Sequence, residues 1–513
     1  MNLSYMKPTA MRIRLISTLI GIAISINLSA LTYDIETIEI RPEHNIDVIP
    51  FITENSASEE ILIIETPDVD QLKKQIRGLN NEPIRRVKIF RYSPSGWRLH
   101  LSKDLEDSMD LIDTVRTPKG IELVGYQNSQ LLYLNKTTRN FEKLLESPSV
   151  FSGVSWGSSP LVNMFVDLNN DGLDDFLIPS FEGWQIALQT NVGFRPLQTL
   201  GPLPSMTFSE SALYTAYRAE EAFLLDENTD GLKDIAFWKD GSFSVYRQNN
   251  QGGFSPLKNI LDVNLKDMLS GYSQISVGEN NDDNNKGKTR LLDDVLDINN
   301  DGYSDLIVKR IKAEGIFGWE SEYEIYLGRP TADNRLEFLG VPSSVVRTDG
   351  FQFNNEHLDL SGDGNQEFVI TSVDISIGAV IRVLISRSVS VDISIYRMAN
   401  GHFPDKPNVK KNISARFDFG SGELFVPAVL GADITGDGQK DLLVQKGDNT
   451  LLVYPGQRGL TMFAPKPIKL KLKLPKSQTG FIVSDLNNDG RDELILKRKE
   501  DGEIKLSVVR FKN

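Results

Sequence analysis

The residues best suited to chemistry in this chain are oxygen-bearing side chains that recur at fixed spacing. Asp167, Asn169, Asp171 and Asp175 stand at positions 1, 3, 5 and 9 of a nine-residue segment in which Gly172 is position 6. Ca²⁺ takes about six to eight oxygen ligands, and a tight turn can supply them from short side chains and a backbone carbonyl at position 7. Glycine permits such a turn. The spacing therefore predicts a calcium-binding loop.

The same frame occurs six times, and we number these loops 1 to 6 in chain order. The predicted ligands at positions 1, 3, 5, 7 and 9, with position 7 contributing its backbone carbonyl, are Asp167, Asn169, Asp171, Leu173, Asp175, Asp226, Asn228, Asp230, Leu232, Asp234, Asp297, Asn299, Asp301, Tyr303, Asp305, Asp359, Ser361, Asp363, Asn365, Glu367, Asp433, Thr435, Asp437, Gln439, Asp441, Asp485, Asn487, Asp489, Arg491 and Glu493.

One such turn could equally hydrogen-bond its own backbone without a metal. Six copies that all place acidic groups at positions 1, 5 and 9, where carboxylates repel one another, favour about six structural Ca²⁺ sites. Ser361 and Thr435 put a hydroxyl at position 3, so loops 4 and 5 are expected to bind the ion more weakly.

Short apolar runs flank the loops, as at residues 165–166 and 176–178. This pattern indicates that each loop joins two buried strands. The loops recur every roughly 50 to 75 residues, which suits one small antiparallel sheet per repeat. We expect an outer pair of strands to follow most of the loops, for example at residues 183–188 and 192–197. A series of such sheets predicts an all-β fold, a β-propeller of four-stranded blades.

The frame Asp-x-Asn/Ser/Thr-x-Asp-Gly-x-x-Asp/Glu followed by apolar residues resembles the FG-GAP and VCBS repeats of integrin-alpha-like calcium-binding β-propellers. This resemblance covers most of the chain after the first thirty residues. It implies a calcium-binding propeller that serves as a binding or adhesion scaffold. It identifies a scaffold and not an activity.

The number of blades depends on how the ring closes. Residues 43–150 contain two eroded repeats without the acidic frame, so no metal is expected there. After Asp485 the chain has room for only three strands of the last blade, and residues 33–40 are predicted to add the fourth and close a ring of eight. The alternative is seven blades, with residues 31–86 as an irregular extension and residues 87–101 completing the last blade.

The first thirty residues are typical of a secretory signal peptide, because Lys7, Arg12 and Arg14 precede an apolar run at residues 15–26. Met11 is an alternative start. Residues 31–513 are then expected to form a single propeller domain that is exported and is periplasmic, extracellular or associated with the cell surface. The chain has no cysteine, so it forms no disulfide. Its net charge of −14 argues against nucleic acid as a partner.

Two insertions interrupt the repeats. Residues 376–388 carry apolar side chains at helical spacing, which predicts a short amphipathic helix. It is expected to pack across the propeller; the alternative is a helix that docks a partner or lies on a membrane. Residues 270–290 are acidic and Asn-rich, and they are predicted to be a solvated insertion, with an additional ion site as the alternative.

Catalysis has little support. His44, His100, His357 and His402 are dispersed, and the sequence has neither a phosphate-binding loop nor a serine elbow. We therefore expect no enzymatic activity, no catalytic residues and no organic cofactor. A secreted, monomeric binding scaffold for a protein or glycan, without a transmembrane segment after signal removal, is the favoured interpretation. A propeller-fold lyase or hydrolase acting on polysaccharide is the alternative.

Overall fold

The computed structural model describes residues 31–40, 45–50, 59–66, 85–106, 108–152, 163–209, 214–239, 241–265, 268, 290–314, 318–373, 386–417, 424–500 and 503–512. The predicted signal segment, the acidic insertion at 270–289 and most of the predicted helix, at 376–385, lie outside these ranges. Within them the chain forms eight four-stranded blades arranged in a ring, so the predicted all-β propeller is confirmed.

The first nine strands are β1 (Thr32–Ile38), β2 (Asn45–Pro50), β3 (Glu60–Thr66), β4 (Arg85–Arg91), β5 (Arg98–Leu105), β6 (Met109–Thr117), β7 (Gly120–Gln127), β8 (Gln130–Asn135) and β9 (Asn140–Glu146). The next twelve are β10 (Phe165–Val166), β11 (Asp175–Ser180), β12 (Gly183–Ala187), β13 (Gln189–Thr190), β14 (Gly193–Phe194), β15 (Gln198–Leu200), β16 (Ser205–Ser209), β17 (Tyr214–Arg218), β18 (Ala222–Leu225), β19 (Asp234–Lys239), β20 (Ser242–Gln248) and β21 (Phe254–Asp262).

The following eleven strands are β22 (Arg290–Leu296), β23 (Asp305–Glu314), β24 (Gly318–Tyr326), β25 (Gly328–Pro330), β26 (Leu336–Phe338), β27 (Ser344–Asp349), β28 (Phe351–Leu358), β29 (Glu367–Val373), β30 (Ser388–Tyr396), β31 (Val409–Phe417) and β32 (Leu424–Phe425). The last seven are β33 (Val429–Ala432), β34 (Asp441–Gln445), β35 (Leu451–Tyr454), β36 (Ile468–Leu470), β37 (Phe481–Ser484), β38 (Glu493–Glu500) and β39 (Glu503–Lys512). Short 3₁₀ turns occur at Gly447–Asn449 and Gln478–Gly480.

The strands are grouped into blades in chain order. Blade 1 is β2 to β5, blade 2 is β6 to β9, blade 3 is β10, β11, β12 and β15, blade 4 is β18 to β21, blade 5 is β22, β23, β24 and β27, blade 6 is β28 to β31 with β32 added, blade 7 is β33 to β36, and blade 8 is β37 to β39 with β1. The pairs β13 and β14, β16 and β17, and β25 and β26 form additional two-stranded hairpins.

The core consists of apolar layers within and between adjacent blades. The central strand β3, Glu-Ile-Leu-Ile-Ile-Glu-Thr, is buried along almost its whole length, as β-branched residues favour. One apolar cluster contains Ile61 of blade 1 together with Ile38 and Val508 of blade 8. Packing between neighbouring sheets therefore holds the ring together.

The ring closes through its two ends. Strand β1 pairs antiparallel with β39, from Thr32 opposite Lys512 to Ile38 opposite Leu506. The predicted eight-blade ring is thus confirmed. The seven-blade alternative is wrong, because residues 85–105 form β4 and β5 of blade 1 and do not complete the last blade.

The outer strand of blade 3 differs from the prediction. Residues 192–197 were expected to form it, but the outer strand is β15, and residues 189–194 form the small hairpin of β13 and β14. The reason is a tight turn in which Thr190 Oγ1 donates to the Gly193 carbonyl at 2.7 Å and Gly193 has a φ of 125°. A side chain at that φ would be strained, so glycine favours the early turn.

Candidate metal centres

All six Asp-rich loops occupy the same place in their blades. Each joins the first and second strands of a blade, from β10 and β11 in blade 3 to β37 and β38 in blade 8. Because the strand order repeats, the loops lie on one face of the ring, which we call the loop face. Neighbouring loops touch: Gln366 N donates to the Ile298 carbonyl at 2.9 Å, and Asp492 N donates to the Asp433 carbonyl at 2.8 Å.

The six loops share one backbone conformation. Position 6 is glycine with φ between 83° and 91° in every loop. Position 4 is also left-handed, a feature that the sequence interpretation missed, although the residue types carry the signal because asparagine and glycine tolerate this region best. The position 4 residues, with φ from 49° to 72°, are Asn170, Thr229, Asn300, Gly362, Gly436 and Asn488.

The carboxylate at position 1 is the centre of each turn. Asp167 Oδ1 accepts a hydrogen bond from Asp171 N at 3.1 Å, and Asp167 Oδ2 accepts one from Gly172 N at 2.9 Å. The same pair of bonds is present in the other five loops. At position 5, Asp171 Oδ1 accepts a bond from Leu173 N at 2.9 Å, and each other loop repeats this contact.

The carboxylate at position 9 links the second strand of the blade to the loop and to the end of the third strand. Asp175, the first residue of β11, accepts a bond from Leu168 N in the loop at 3.0 Å and another from Gln189 N, beyond the end of β12, at 2.7 Å. The equivalent second donors in loops 2, 3 and 5 are Gln248 N, Gly328 N and Gly456 N. These carboxylates therefore fasten the third strand of the blade to the loop.

Burial makes the position 9 carboxylates costly to ionise. It raises the pKa of Asp175, Asp234, Asp305 and Glu493 to about 7, and the pKa of Asp441 to about 6. Nearby carboxylates of the same loop add to this in all five cases; in loop 1, for example, Asp171 and Asp167 repel Asp175. A cation beside such a group would favour its ionised form.

The loop side chains carry the kind of donor atoms that a hard metal ion binds. In the part of the chain that the structure describes, no three His, Asp or Glu side chains are already gathered as a metal-binding group. The carboxylates instead bind the loop backbone. Their donor set is nevertheless all oxygen, as Ca²⁺ requires. Asn228 Oδ1, at position 3 of loop 2, is buried and accepts no hydrogen bond. The donor set and this free oxygen fit a hard cation held by positions 1, 3, 5, 7 and 9.

Loop 4 differs from the others in the arginine that enters it. Position 9 is Glu367, and Arg397, directly after β30, reaches into the loop. Arg397 Nη2 lies 2.6 Å from Asp363 Oδ2, and Arg397 Nε lies 3.5 Å from Glu367 Oε1. The sequence interpretation missed this arginine, because only the pairing of β29 with β30 brings it to the loop.

Loop 6 also has a glutamate at position 9, but its arginine is shared. Arg510 Nη1 lies 3.4 Å from Glu493 Oε1, while the same guanidinium lies 3.2 Å from Glu36 Oε1 and also pairs with Glu59. Arg510 therefore pairs with two carboxylates of blade 8, Glu36 and Glu493, and with Glu59 directly before β3. It forms no ion pair with Asp489, the described residue at position 5 of loop 6.

The described histidines are not brought together. His100 is in β5 and His357 is in β28. His402 lies between β30 and β31 of blade 6, and its Nδ1 is 2.8 Å from the carbonyl of Ser343, directly before β27 of blade 5. The His357 side chain is 8% exposed and packs on Phe368 with ring centroids 4.5 Å apart. His44 lies outside the described residues.

No helix in the described ranges is long and apolar enough to cross a membrane.

Comparison with known proteins finds similarity only at the level of structure. No family model and no curated protein matches the chain. The chain is similar to the WD40 domain of SCAP from fission yeast, at 10% identity and a TM-score of 0.35, over 93% of this chain and 98% of that one. It is also similar to the V. cholerae biofilm matrix protein Bap1, at 12% identity and a TM-score of 0.33, over 94% and 92%. Likeness at this level carries no inference about a ligand.

Proposed function

We propose that this protein is an exported, calcium-stabilised β-propeller that acts as a binding scaffold for a protein or glycan. The observation that carries the proposal is the repeated loop: six segments with one backbone conformation and one set of oxygen donors lie together on one face of a closed ring. The resemblance of these segments to FG-GAP and VCBS repeats supports the same role.

Calcium would act on the folded ring through the position 9 carboxylates. Each of these groups already fastens strands together in loops 1, 2, 3 and 5. Their raised pKa values show that ionisation is unfavourable without a compensating charge. An ion that binds only the folded state adds RT ln(1 + [L]/Kd) per site to the free energy of unfolding. Calcium would thus stabilise the blades and need take no part in a reaction.

A scaffold role follows from the rigidity of the ring. Its ends are joined by the seven paired positions between β1 and β39. Turns on both faces are then held in fixed relative positions, which lowers the entropy cost of binding a large partner. Export is supported by the signal-like residues 1–30.

Binding and catalysis can be separated in one experiment. The purified chain without residues 1–30, in millimolar CaCl₂, would be applied to an array of polysaccharides and to an extract of the native cell envelope. We expect retention of one glycan class or one protein without consumption of any substrate. Metal-dependent turnover of a polysaccharide, a chromogenic ester or a glycoside would contradict the scaffold role.

A further inference from the structure

A basic cleft lies on the face opposite the loops. It has a volume of ≈ 320 Å³ and is formed where the β34–β35 turn, the segment after β36 and the end of β38 meet. Its charged lining is Lys473, Lys476, Arg498 and Lys499 with Asp448 and Glu500. Four cations against two carboxylates form a local excess of positive charge, although the whole chain carries −14.

The internal ion pairs do not neutralise this cleft. Glu500 is shared by Lys473 at 3.7 Å, Arg498 at 3.7 Å and Lys505 at 3.1 Å. Among the described residues, Lys476 and Lys499 form no ion pair. Positive charge therefore remains available to a ligand.

Arg498 is held in place at the side of the cleft. Its Nη1 donates to the Lys473 carbonyl at 3.2 Å and its Nη2 donates to Ser507 Oγ at 2.9 Å. Its Nε is buried and lies 3.7 Å from Glu500 Oε1. Arg498 therefore forms a fixed wall of the cleft, and the charges that a ligand can reach are the exposed ammonium groups of Lys476 and Lys499, which suit an oxyanion.

We infer that this cleft binds an anionic sugar unit through its carboxylate, sulfate or phosphate group. The volume is at the lower end of small-ligand sites, about 300 to 1,000 Å³, and suits one or two sugar rings. The inference rests on the proposed scaffold role, for which it names a ligand class, and it is independent of the calcium loops.

The test compares anionic and neutral probes by calorimetric titration. Trigalacturonate, a sulfated disaccharide, inorganic phosphate and neutral maltotriose are titrated into the wild type, into Lys476→Gln/Lys499→Gln, and into the control Lys119→Gln/Lys258→Gln, which loses the same charge elsewhere. We expect at least one anion to bind the wild type and the control equally and the cleft variant about tenfold more weakly or worse.

The relative affinities of the titrated compounds show which kind of ligand carries the anionic group. Preference for trigalacturonate or the sulfated sugar assigns an acidic polysaccharide, and preference for phosphate assigns a phosphorylated ligand. Equal binding of maltotriose, equal affinities in the two double variants, or no binding of any anion would overturn the inference. Calcium-dependent stability measured on the same samples shows separately whether the metal proposal holds.

A second inference concerns loop 4 and rests on the proposed calcium sites. Arg397 contacts the carboxylates at positions 5 and 9 of this loop, at 2.6 Å and 3.5 Å, and its side chain is only 14% exposed. In loops 1, 2, 3 and 5 the position 9 Asp binds a backbone N–H at the corresponding place. Arg397 donates a hydrogen bond to Asp363, whereas Glu367 Oε1 is within ion-pair distance but accepts no hydrogen bond in the described structure. Loop 4 therefore already holds a positive charge beside two of its acidic groups.

We propose that the Arg397 guanidinium replaces Ca²⁺ in loop 4, so that the ring binds five ions. A metal ion and a guanidinium cannot share Asp363 and Glu367 without repelling each other. Because Arg397 is part of the chain, its positive charge stays at the loop, whereas a bound metal ion can dissociate. The six-ion expectation from the sequence is then one too many, at the loop where an arginine stands among the acidic ligands.

The stoichiometry of bound calcium tests this proposal. Equilibrium dialysis followed by elemental analysis should give five ions for the wild type and six for Arg397→Met, while the surface control Arg329→Gln should stay at five. Asp363→Asn, which leaves the other loops intact, should also stay at five.

The outcomes distinguish this inference from the calcium proposal itself. Six ions in the wild type, or a loss of one ion in Asp363→Asn, would overturn the role of Arg397. A folded Arg397→Met variant that still binds five ions would do the same. No bound calcium in any variant would instead show that the calcium proposal is wrong.

Discussion

The position 9 carboxylates couple calcium binding to pH. Burial raises the pKa of Asp175 and Asp234 from the ordinary aspartate value of 3.8 to about 7 in the metal-free fold. A raised folded pKa gives stability that is complete below about pH 4 and is lost as pH rises through about 7. Calcium binds the ionised form, so it should offset this loss.

We therefore expect the thermal midpoint of unfolding in EDTA to decrease as the pH rises from about 5 to about 8. The increase of this midpoint on adding calcium should grow over the same interval. Differential scanning fluorimetry at several pH values, with and without millimolar Ca²⁺, measures both. A calcium gain that is equal at both ends of this interval would show that these carboxylates do not bind the ion.

Side-chain and backbone ligands can be separated within loop 1. Asp171→Ala removes the position 5 carboxylate, whereas Leu173→Ala leaves the position 7 carbonyl in place. We expect the first variant to lose one bound ion and the second to keep the wild-type number. Elemental analysis after dialysis gives both counts. Equal losses would mean that the assignment of ligand positions is wrong.

At the scale of the loop as an element, position 4 sets the turn. Thr229 has a φ of 49°, while the other loops have Asn or Gly there. A β-branched residue in the left-handed region is strained by about 1 kcal/mol or more relative to asparagine.

Thr229→Asn should therefore raise the free energy of unfolding by about 1 kcal/mol, and the reciprocal Asn300→Thr should lower it by a similar amount. Urea titration of both variants measures the differences. If neither substitution changes the free energy, position 4 does not determine the turn.

Elements that depend on local pattern could be predicted, and those that depend on distant pairing could not. Apolar runs beside each loop predicted the strands that flank it, such as β10 and β11. The donation from Gln189 N to Asp175 could not be predicted, because it depends on the register of β11 with β12. Arg397 was missed for the same reason.

At the scale of the whole molecule, closure of the ring was predictable because the last blade lacked a strand and a spare strand preceded the first repeat. The closing strand β1 has one residue turned into the core: Ile38 is 1% exposed, whereas Ile35 on the same strand is 49% exposed. These two residues form a matched pair for testing closure.

Ile38→Ala should lower the free energy of unfolding by about 2 to 5 kcal/mol, because it removes a buried side chain shared by blades 1 and 8. Ile35→Ala should change it by less than about 0.5 kcal/mol. Denaturant unfolding provides the comparison. Equal, small effects would mean that β1 contributes little to the ring.

The central claim is that calcium stabilises this propeller, and the thermal midpoint in excess EDTA compared with about 5 mM Ca²⁺ tests it most directly. With an affinity of about 10⁻⁴ to 10⁻³ M, each occupied loop adds roughly 1 to 2 kcal/mol at this concentration. The account predicts a midpoint several degrees higher in Ca²⁺ than in EDTA, with a smaller effect of equimolar Mg²⁺. An unchanged midpoint, together with no calcium in the purified protein, would contradict it and leave the loops as metal-free turns.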